Sequence, residues 1–245
     1  MTERRDPQTV SILRAVAGEG DRMWAAPSLA DSLHNQATAS DRSLPESLPD
    51  LLATLALRAV HHLIHNLPQP ARESLGIIIG TTSGSLRMDH EFDRSRRDAG
   101  ARFASPTAFR RTLPSTIAAE ISVRLKLRGP LLTLCAGDAS TALALRRGVA
   151  WLRHFQLNQV IVGGIDWPMP TEHAPATDEP PQVAFLLLSQ DAQAPLGTAR
   201  ADRWTPADSG HPRDKSLKML AEWIRHPASI HLPCGVHLES SNPPK

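Results

Sequence analysis

The segment Cys135-Ala-Gly-Asp-Ala-Ser-Thr141 brings a thiol, a carboxylate and two hydroxyls together where an apolar run ends. A thiol attacks only as the thiolate, and a helix N-terminus or a nearby cation is what lowers its pKa. Cys135 closes the run Leu131-Leu-Thr-Leu-Cys135. In such surroundings a free cysteine behaves as a small hydrophobe, so core or interface packing is its expected role. Asp138 precedes a helical pattern. Asp is among the best N-cap residues, stabilising a helix by about 0.5–2 kcal/mol. A carboxylate can attack as a nucleophile in other chemistries, but an acyl anhydride formed on it hydrolyses readily. Asp138 therefore reads as a structural cap, with a carboxylate role in decarboxylation or anion exclusion as the alternative.

Other reactive types carry weaker patterns. His61 and His65 form an i, i+4 pair with His62 beside them, a spacing that binds zinc when further ligands and an open site follow. No Glu lies between them, so they are expected to flank an apolar helix face, and no metal site is assigned. Gly80-Thr-Thr-Ser-Gly84 lacks the Gly-Lys-Ser/Thr ending of a phosphate loop. Ser83, Ser85 and Ser140 sit in no Gly-x-Ser-x-Gly motif and read as turn and cap hydroxyls. Arg87, Arg94, Arg96, Arg97, Arg102, Arg110 and Arg111 make residues 87–111 Arg-rich, with Asp89, Glu91, Asp93 and Asp98 interleaved. That is either a solvated face with i, i+4 pairs or a basic surface for an acidic partner.

The elements that position these groups follow from periodicity. Thr9 to Ala17 reads as a strand, and residues 18–50 as a surface segment punctuated by Pro and Ser. Ser47-Leu-Pro-Asp opens a helix whose apolar face runs from Leu51 to Ile64. Gly76–Gly80 is a short β-branched run, which predicts a buried strand, and Thr81–Ser85 a turn. Residues 86–98 read as a charged helix, 103–113 as a Pro-interrupted loop, and Ser115–Leu125 as a helix with a small-residue face. Leu131–Cys135, Gln159–Gly163 and Val183–Leu188 read as buried strands, with a helix from Asp138 to about His154 between the first two. Ser216–Ile224 is a short amphipathic helix and Ala228–Leu232 a last strand. Apolar strands alternating with helices predict a layered α/β domain whose sheet is covered on both faces.

Composition narrows the classes. The 245 residues suffice for one large domain. Lys+Arg 27 against Asp+Glu 25 is too balanced to propose nucleic acid or a membrane surface as the main partner. Two cysteines cannot build a disulfide framework or a four-thiolate metal site. No apolar run reaches the ~18 residues of a membrane span. No signal peptide is read at the N-terminus, and the expected compartment is a reducing cytoplasm.

The ordered motifs between Gly76 and Trp167 resemble the N-terminal half of a β-ketoacyl synthase, which has the thiolase fold. Gly76-Ile-Ile-Ile-Gly-Thr-Thr-Ser-Gly-Ser85 is similar to the family's strand and Gly-rich turn. Ser105-Pro106 and Leu113-Pro-Ser-Thr-Ile-Ala-Ala119 resemble its "SP…LPN-x-A" segment. Leu127-Arg-Gly-Pro130 is its "LRGP", and Val160-Ile-Val-Gly-Gly164 resembles the strand after the nucleophile helix. Two departures accompany the matches. The family's nucleophilic Cys position is Asp138 here, and Cys135 lies three residues too early. The half of the family that carries two catalytic histidines and a Lys has no counterpart of full length, with Ser229–Gly235 only faintly similar and Cys234 at the first His position.

The resemblance implies an α/β, thiolase-like layered α-β-α fold with a mixed sheet and a truncated second half. It implies one domain over 1–245, best matched at 76–167, with 190–245 a degenerate extension. It is similar to the half-length, chain-length-factor-type partners of a true ketosynthase in aryl-polyene and related type II pathways. By that resemblance the chain has no catalytic residue. Phe109, Thr112, Leu113, Leu134 and Cys135 are tunnel or interface candidates, and Arg96, Arg97 and Arg102 are carrier-protein docking candidates. The implied partners are a full-length ketosynthase, in a heterodimer, and an acyl carrier protein, with no cofactor. The alternatives are a pseudo-ketosynthase using Asp138 or Cys135 for decarboxylation or acyl transfer, and a carrier-protein docking scaffold.

Overall fold

The computed structural model describes residues 9–20, 22–25, 51–154, 157–167, 179–190, 195–202 and 215–241. In chain order it begins with β1 (Thr9–Glu19), β2 (Arg22–Ala25), α1 (Leu51–Ile64), α2 (Gln69–Glu73) and β3 (Gly76–Gly80). Next come α3 (Leu86–Ala99), α4 (Pro106–Arg110), α5 (Thr116–Leu125), β4 (Leu131–Leu134) and α6 (Ser140–His154). The remainder is β5 (Gln159–Asp166), β6 (Gln182–Ser189), β7 (Gly197–Ala201), α7 (Lys215–Arg225), β8 (Ile230–Leu232) and β9 (Val236–Ser240). The helix start expected at Ser47–Asp50 lies outside the described residues, as does most of the surface segment expected over 18–50.

The strands form one mixed sheet in the order β4-β3-β5-β6-β1-β7-β9-β8, with β2 paired to the second half of β1. β3 runs parallel to both β4 and β5, and the other pairings are antiparallel. Side chains alternate across a strand, so each central strand feeds two cores. Ile77, Ile79, Ile161, Phe185 and Leu187 pack with Leu55, Leu63 and Ile121 of α1 and α5. Ile78, Val160, Val162, Leu186 and Leu188 pack with Leu145, Leu152 and Leu220 of α6 and α7. Each such side chain contributes about 1.5–3 kcal/mol on full burial. The expected α-β-α layering is present.

Three expectations are corrected. Leu131–Leu134 is not a buried strand: it is the edge of the sheet, its residues exposed or half-buried. An edge strand has a neighbour on one side only, so an apolar run there is left facing out. Residues 103–113 are not a plain loop. A 3-10 turn at Ala101–Phe103 leads into α4, which Ser105 caps by accepting from the Ala108 N–H (3.2 Å) with Pro106 at the first helical position. The last strand is two strands, β8 and β9, joined by a 3-10 turn, and β2 and β7 carry no strand pattern in the sequence.

β7, β9 and β8 carry the sheet on past β1. Arg146 of α6 ties this extension down, its Nη1 donating to the Asp202 carbonyl (2.5 Å) and the Cys234 carbonyl (3.2 Å). The N-terminus of α6 lies hard against the sheet. A Cβ on Gly80 would stand 2.3 Å from the Ser140 carbonyl oxygen, and one on Gly164 would stand 1.8 Å from Thr141 Oγ1. Gly80→Ala meets backbone, which cannot swing aside. The expected loss is about 1–3 kcal/mol, read as a lower urea midpoint; an unchanged midpoint would remove close approach as the reason for glycine at 80.

Candidate functional site

The C-terminal ends of β3, β4 and β5 converge on one turn. After Leu134, whose carbonyl accepts from the Thr81 N–H (2.9 Å), the chain crosses Cys135 and Ala136 into a 3-10 turn at Gly137–Ala139. Hydroxyls fix that turn. Ser140 Oγ accepts from the Ala136 N–H (2.9 Å) and donates to the Gly137 carbonyl (2.7 Å). Thr82 Oγ1 donates to the same carbonyl (2.6 Å). From beneath, Ser216 Oγ donates to the Asp138 carbonyl (3.3 Å) and accepts from the Ala142 N–H (3.0 Å). Asp138 is buried inside this turn, two residues before α6, rather than at its N-cap, and the hydroxyl that closes the turn on the backbone is that of Ser140. A carboxylate there still complements the positive end of the α6 dipole.

Asp166, at the end of β5, is the group that sequence reasoning missed. It is buried, and its Oδ1 accepts from the Ser83 N–H (3.1 Å), the Ser83 hydroxyl and the Trp167 N–H (3.1 Å). The Gly-rich turn is thereby clamped to β5. Gly84 N–H donates to Thr81 Oγ1 (3.0 Å), and the Ser85 hydroxyl donates to the Thr112 carbonyl.

Cys135 is exposed, contrary to the expected burial, because the strand it ends is an edge. Its thiol is pushed above the ordinary value, first by the protein atoms crowding the sulfur and then by the Asp166 charge. This is the reverse of the cationic setting that activates a thiol. Asp138 offers a carboxylate and Cys135 a disfavoured thiolate.

Of the remaining tunnel candidates Leu113 alone lines the cleft of about 30 Å³ that it shares with Ser83, Arg87, Arg111, Glu120 and Trp167, which is room for a water or two. The Arg87 guanidinium lies 3.7 Å from the Trp167 ring centroid. Arg111 is buried with its Nη2 3.4 Å from Glu120. Thr112 locks the turn after α4, its hydroxyl donating to the Phe109 carbonyl (2.8 Å). Phe109 packs on Phe92 at 5.2 Å between ring centroids yet stays 60% exposed, and Leu113 is 63% exposed.

Arg96 and Arg97, expected on a docking face, both pair with Asp93 of their own helix, Arg96 at 2.6 Å. Arg102 is exposed. His61, His62 and His65 form a triangle with ring centroids 6.0–6.4 Å apart. His61 is pushed below its ordinary pKa by burial, then by His65 and Arg72. Among the described residues no group of three or more His, Cys, Asp or Glu is placed to hold a metal, and no helix is long and apolar enough to cross a membrane.

The sequence matches the β-ketoacyl synthase, N-terminal domain, over residues 30–179. No curated protein matches. Among solved structures, a ketosynthase (ApeO) in complex with its chain length factor (ApeC) from Xenorhabdus doucetiae is similar at TM-score 0.60 and 15% identity, covering 94% of this chain and 98% of that one. The ishigamide ketosynthase/chain length factor is similar at TM-score 0.57 and 21% identity, over 79% of this chain and 68% of that one. A type II PKS acyl-carrier protein in complex with its ketosynthase bound to the hexaketide (AntDE:AntF) gives TM-score 0.57 and 11% identity, over 83% and 67%. These likenesses establish the thiolase-like ketosynthase fold that the motif series implies.

The Cys135 environment yields a signed expectation. Asp166→Asn removes a negative charge while keeping an acceptor for Ser83 and Trp167, so the thiol pKa falls and more thiolate is present at pH 8. Iodoacetamide should alkylate Cys135 about two- to fivefold faster in the variant, with buried Cys234 protected. A slower or equal rate, followed by peptide mass spectrometry, would show that Asp166 does not set the thiol.

Proposed function

The chain belongs to the β-ketoacyl synthase family by its N-terminal domain, and from that premise we propose that it is a non-catalytic, chain-length-factor-type subunit. It pairs with a true ketosynthase and shapes the tunnel for a polyketide or fatty-acid-type chain. The observation that carries this reading is the apolar open edge of the sheet. Among the described residues β4 has a strand neighbour on one side only, Leu131 is exposed on it, and Val123 is exposed on α5, which packs beside it. An unpaired strand edge beside exposed apolar surface favours a partner that supplies the missing strand.

Two further facts support it. The turn that the motif series aligns with the family's nucleophile holds Asp138, and the nearest thiol is disfavoured as thiolate. One chain of a ketosynthase and chain-length-factor complex matches this one along almost the whole of both. In this reading the partner performs the acyl transfer and decarboxylative condensation. Phe109, Thr112 and Leu113 reach toward the partner's acyl tunnel, while Arg102 remains on the surface for an acyl carrier protein. A purely docking scaffold would leave Phe109 without a role.

A tagged pull-down from native lysate, with mass spectrometry and light scattering, is expected to return a 1:1 complex with a full-length ketosynthase. A stable monomer or homodimer with no such companion would sink the proposal. In the reconstituted complex, Phe109→Ala should change the length distribution of the product at unchanged complex stoichiometry. An unchanged product length would remove the tunnel-shaping role and leave only the pairing.

A further inference from the structure

We infer that the cleft shared by Arg87, Arg111 and Trp167 is a binding site for the carboxylate of a small organic acid, with Arg111 as its main donor. The site is independent of the pairing proposed above, since it uses no residue of β4. Arg111 is what points to a ligand. Its side chain is only 9% exposed, and it lines the cleft. A guanidinium carries five N–H donors. The structure gives those of Arg111 one acceptor, Glu120 Oε1 at the long distance of 3.4 Å, and its buried Nε has none. Buried polar groups are as a rule matched, and unmatched donors of a charged group are the costliest to leave. Among the described residues Glu120 is the only acid that lines the cleft. Asp166 lies close by, but it is engaged by the Ser83 N–H, the Ser83 hydroxyl and the Trp167 N–H.

Two helices begin at the same cleft. Ser85, Arg87 and Met88 bring the start of α3 to it, and Thr116 and Ile117 the start of α5. The helices have 14 and 10 residues, and neither start is capped by the side chain of its N-cap serine. The first N–H groups of a helix have no partner within it and carry the positive end of its dipole. Asp89 answers that charge within the first turn of α3, whereas α5 has no acid in its first turn. The donors of Arg111 and the start of α5 therefore face one small space.

The size of the cleft selects the ligand. Its volume of about 30 Å³ holds two water-sized groups. A carboxylate offers two acceptor oxygens on one carbon and a single negative charge, the match for a planar guanidinium. Sulfate and phosphate bring four oxygens and exceed the space. Leu113, Pro114, Ile117 and Trp167 supply apolar wall for a carbon or two beyond the carboxylate. Arg87, exposed and 3.7 Å from the Trp167 ring centroid, adds a second cation.

The test is a titration of the whole chain with sodium acetate, propionate and sulfate at constant ionic strength, followed by nitrogen–proton correlation NMR. Acetate and propionate are expected to move the Arg111 Nε–H and Ile117 N–H signals saturably, in the millimolar range. Sulfate should bind at least tenfold more weakly. Removing Arg111 alone would strand Glu120, so the pair is removed together: Arg111→Gln/Glu120→Gln should weaken acetate at least tenfold. Glu120→Gln alone keeps Arg111 and removes the competing charge, so it should tighten acetate about two- to fivefold. That gain is not expected of a merely structural arginine, and it decides the matter should the double variant fail to fold. Acetylglycine, whose carboxylate ends a longer molecule, separates the sources. Binding as tight as acetate or tighter assigns the cleft to the end of an extended ligand, and weaker binding assigns it to a free short acid. No saturable acetate shift, sulfate binding equal to acetate, or unchanged acetate affinity in Glu120→Gln overturns the inference.

Discussion

The structure depends on how closely α6 approaches the sheet. Gly80 and Gly164 end β3 and β5 without side chains, and the backbone of Ser140 and the Thr141 hydroxyl occupy the space those side chains would take. That contact fixes where α6 starts, and with it the 3-10 turn that feeds it. The hydroxyls of Thr82, Ser140 and Ser216 each donate to a carbonyl of this turn, so the turn is pinned from three elements. The Asp166 clamp on Ser83 follows from the same approach, because it joins the loop after β3 to the end of β5.

With both faces of the sheet buried, its edges become the remaining places where backbone is unsatisfied. The two ends are managed differently. At the far end, among the described residues, β8 is only three residues long and exposes His231, stacked on His237 at 4.2 Å, while Leu232 is buried. At the other end β4 is apolar apart from Thr133, with Leu131 exposed on it and Val123 exposed on the neighbouring α5. A short edge with polar side chains discourages pairing; an apolar one invites it. The pairing proposed at β4 rests on this contrast.

The central fold was legible because β3, β5 and β6 are continuous β-branched or aliphatic runs and a strand buried on both faces needs no alternation. β7 reads Gly-Thr-Ala-Arg-Ala and holds its place through backbone pairing with β1 and β9, which leaves no sequence pattern. β4 shows the converse failure. A five-residue run, apolar except for Thr133 and ending in Cys135, looks the same whether other strands of this chain or another molecule will cover it, so the sequence signalled burial and the isolated chain shows exposure. Asp166 was invisible to spacing arguments; its signal was a lone carboxylate closing an eight-residue strand whose other residues are uncharged. Asp138 was expected as the helix N-cap and lies instead inside the 3-10 turn, and which side chain closes that turn on its own backbone emerged only from the packing of Ser140.

Position and charge at the turn can be separated. The geometry that would place a nucleophile at the head of a buried helix is intact, held by hydroxyls that bond backbone and are indifferent to the residue at 138. The charges run the other way: a carboxylate occupies the turn, and a second one, Asp166, faces the nearest thiol. A thiolate in such a field is disfavoured, whereas a helix start tolerates a carboxylate well. In the proposed reading, replacing the nucleophile removes chemistry without disturbing the framework, and what the framework continues to present is its open edge. A subunit that acts on a partner's reaction must act through that edge, which is why the proposed function is placed at β4, α4 and α5 and not at the turn itself.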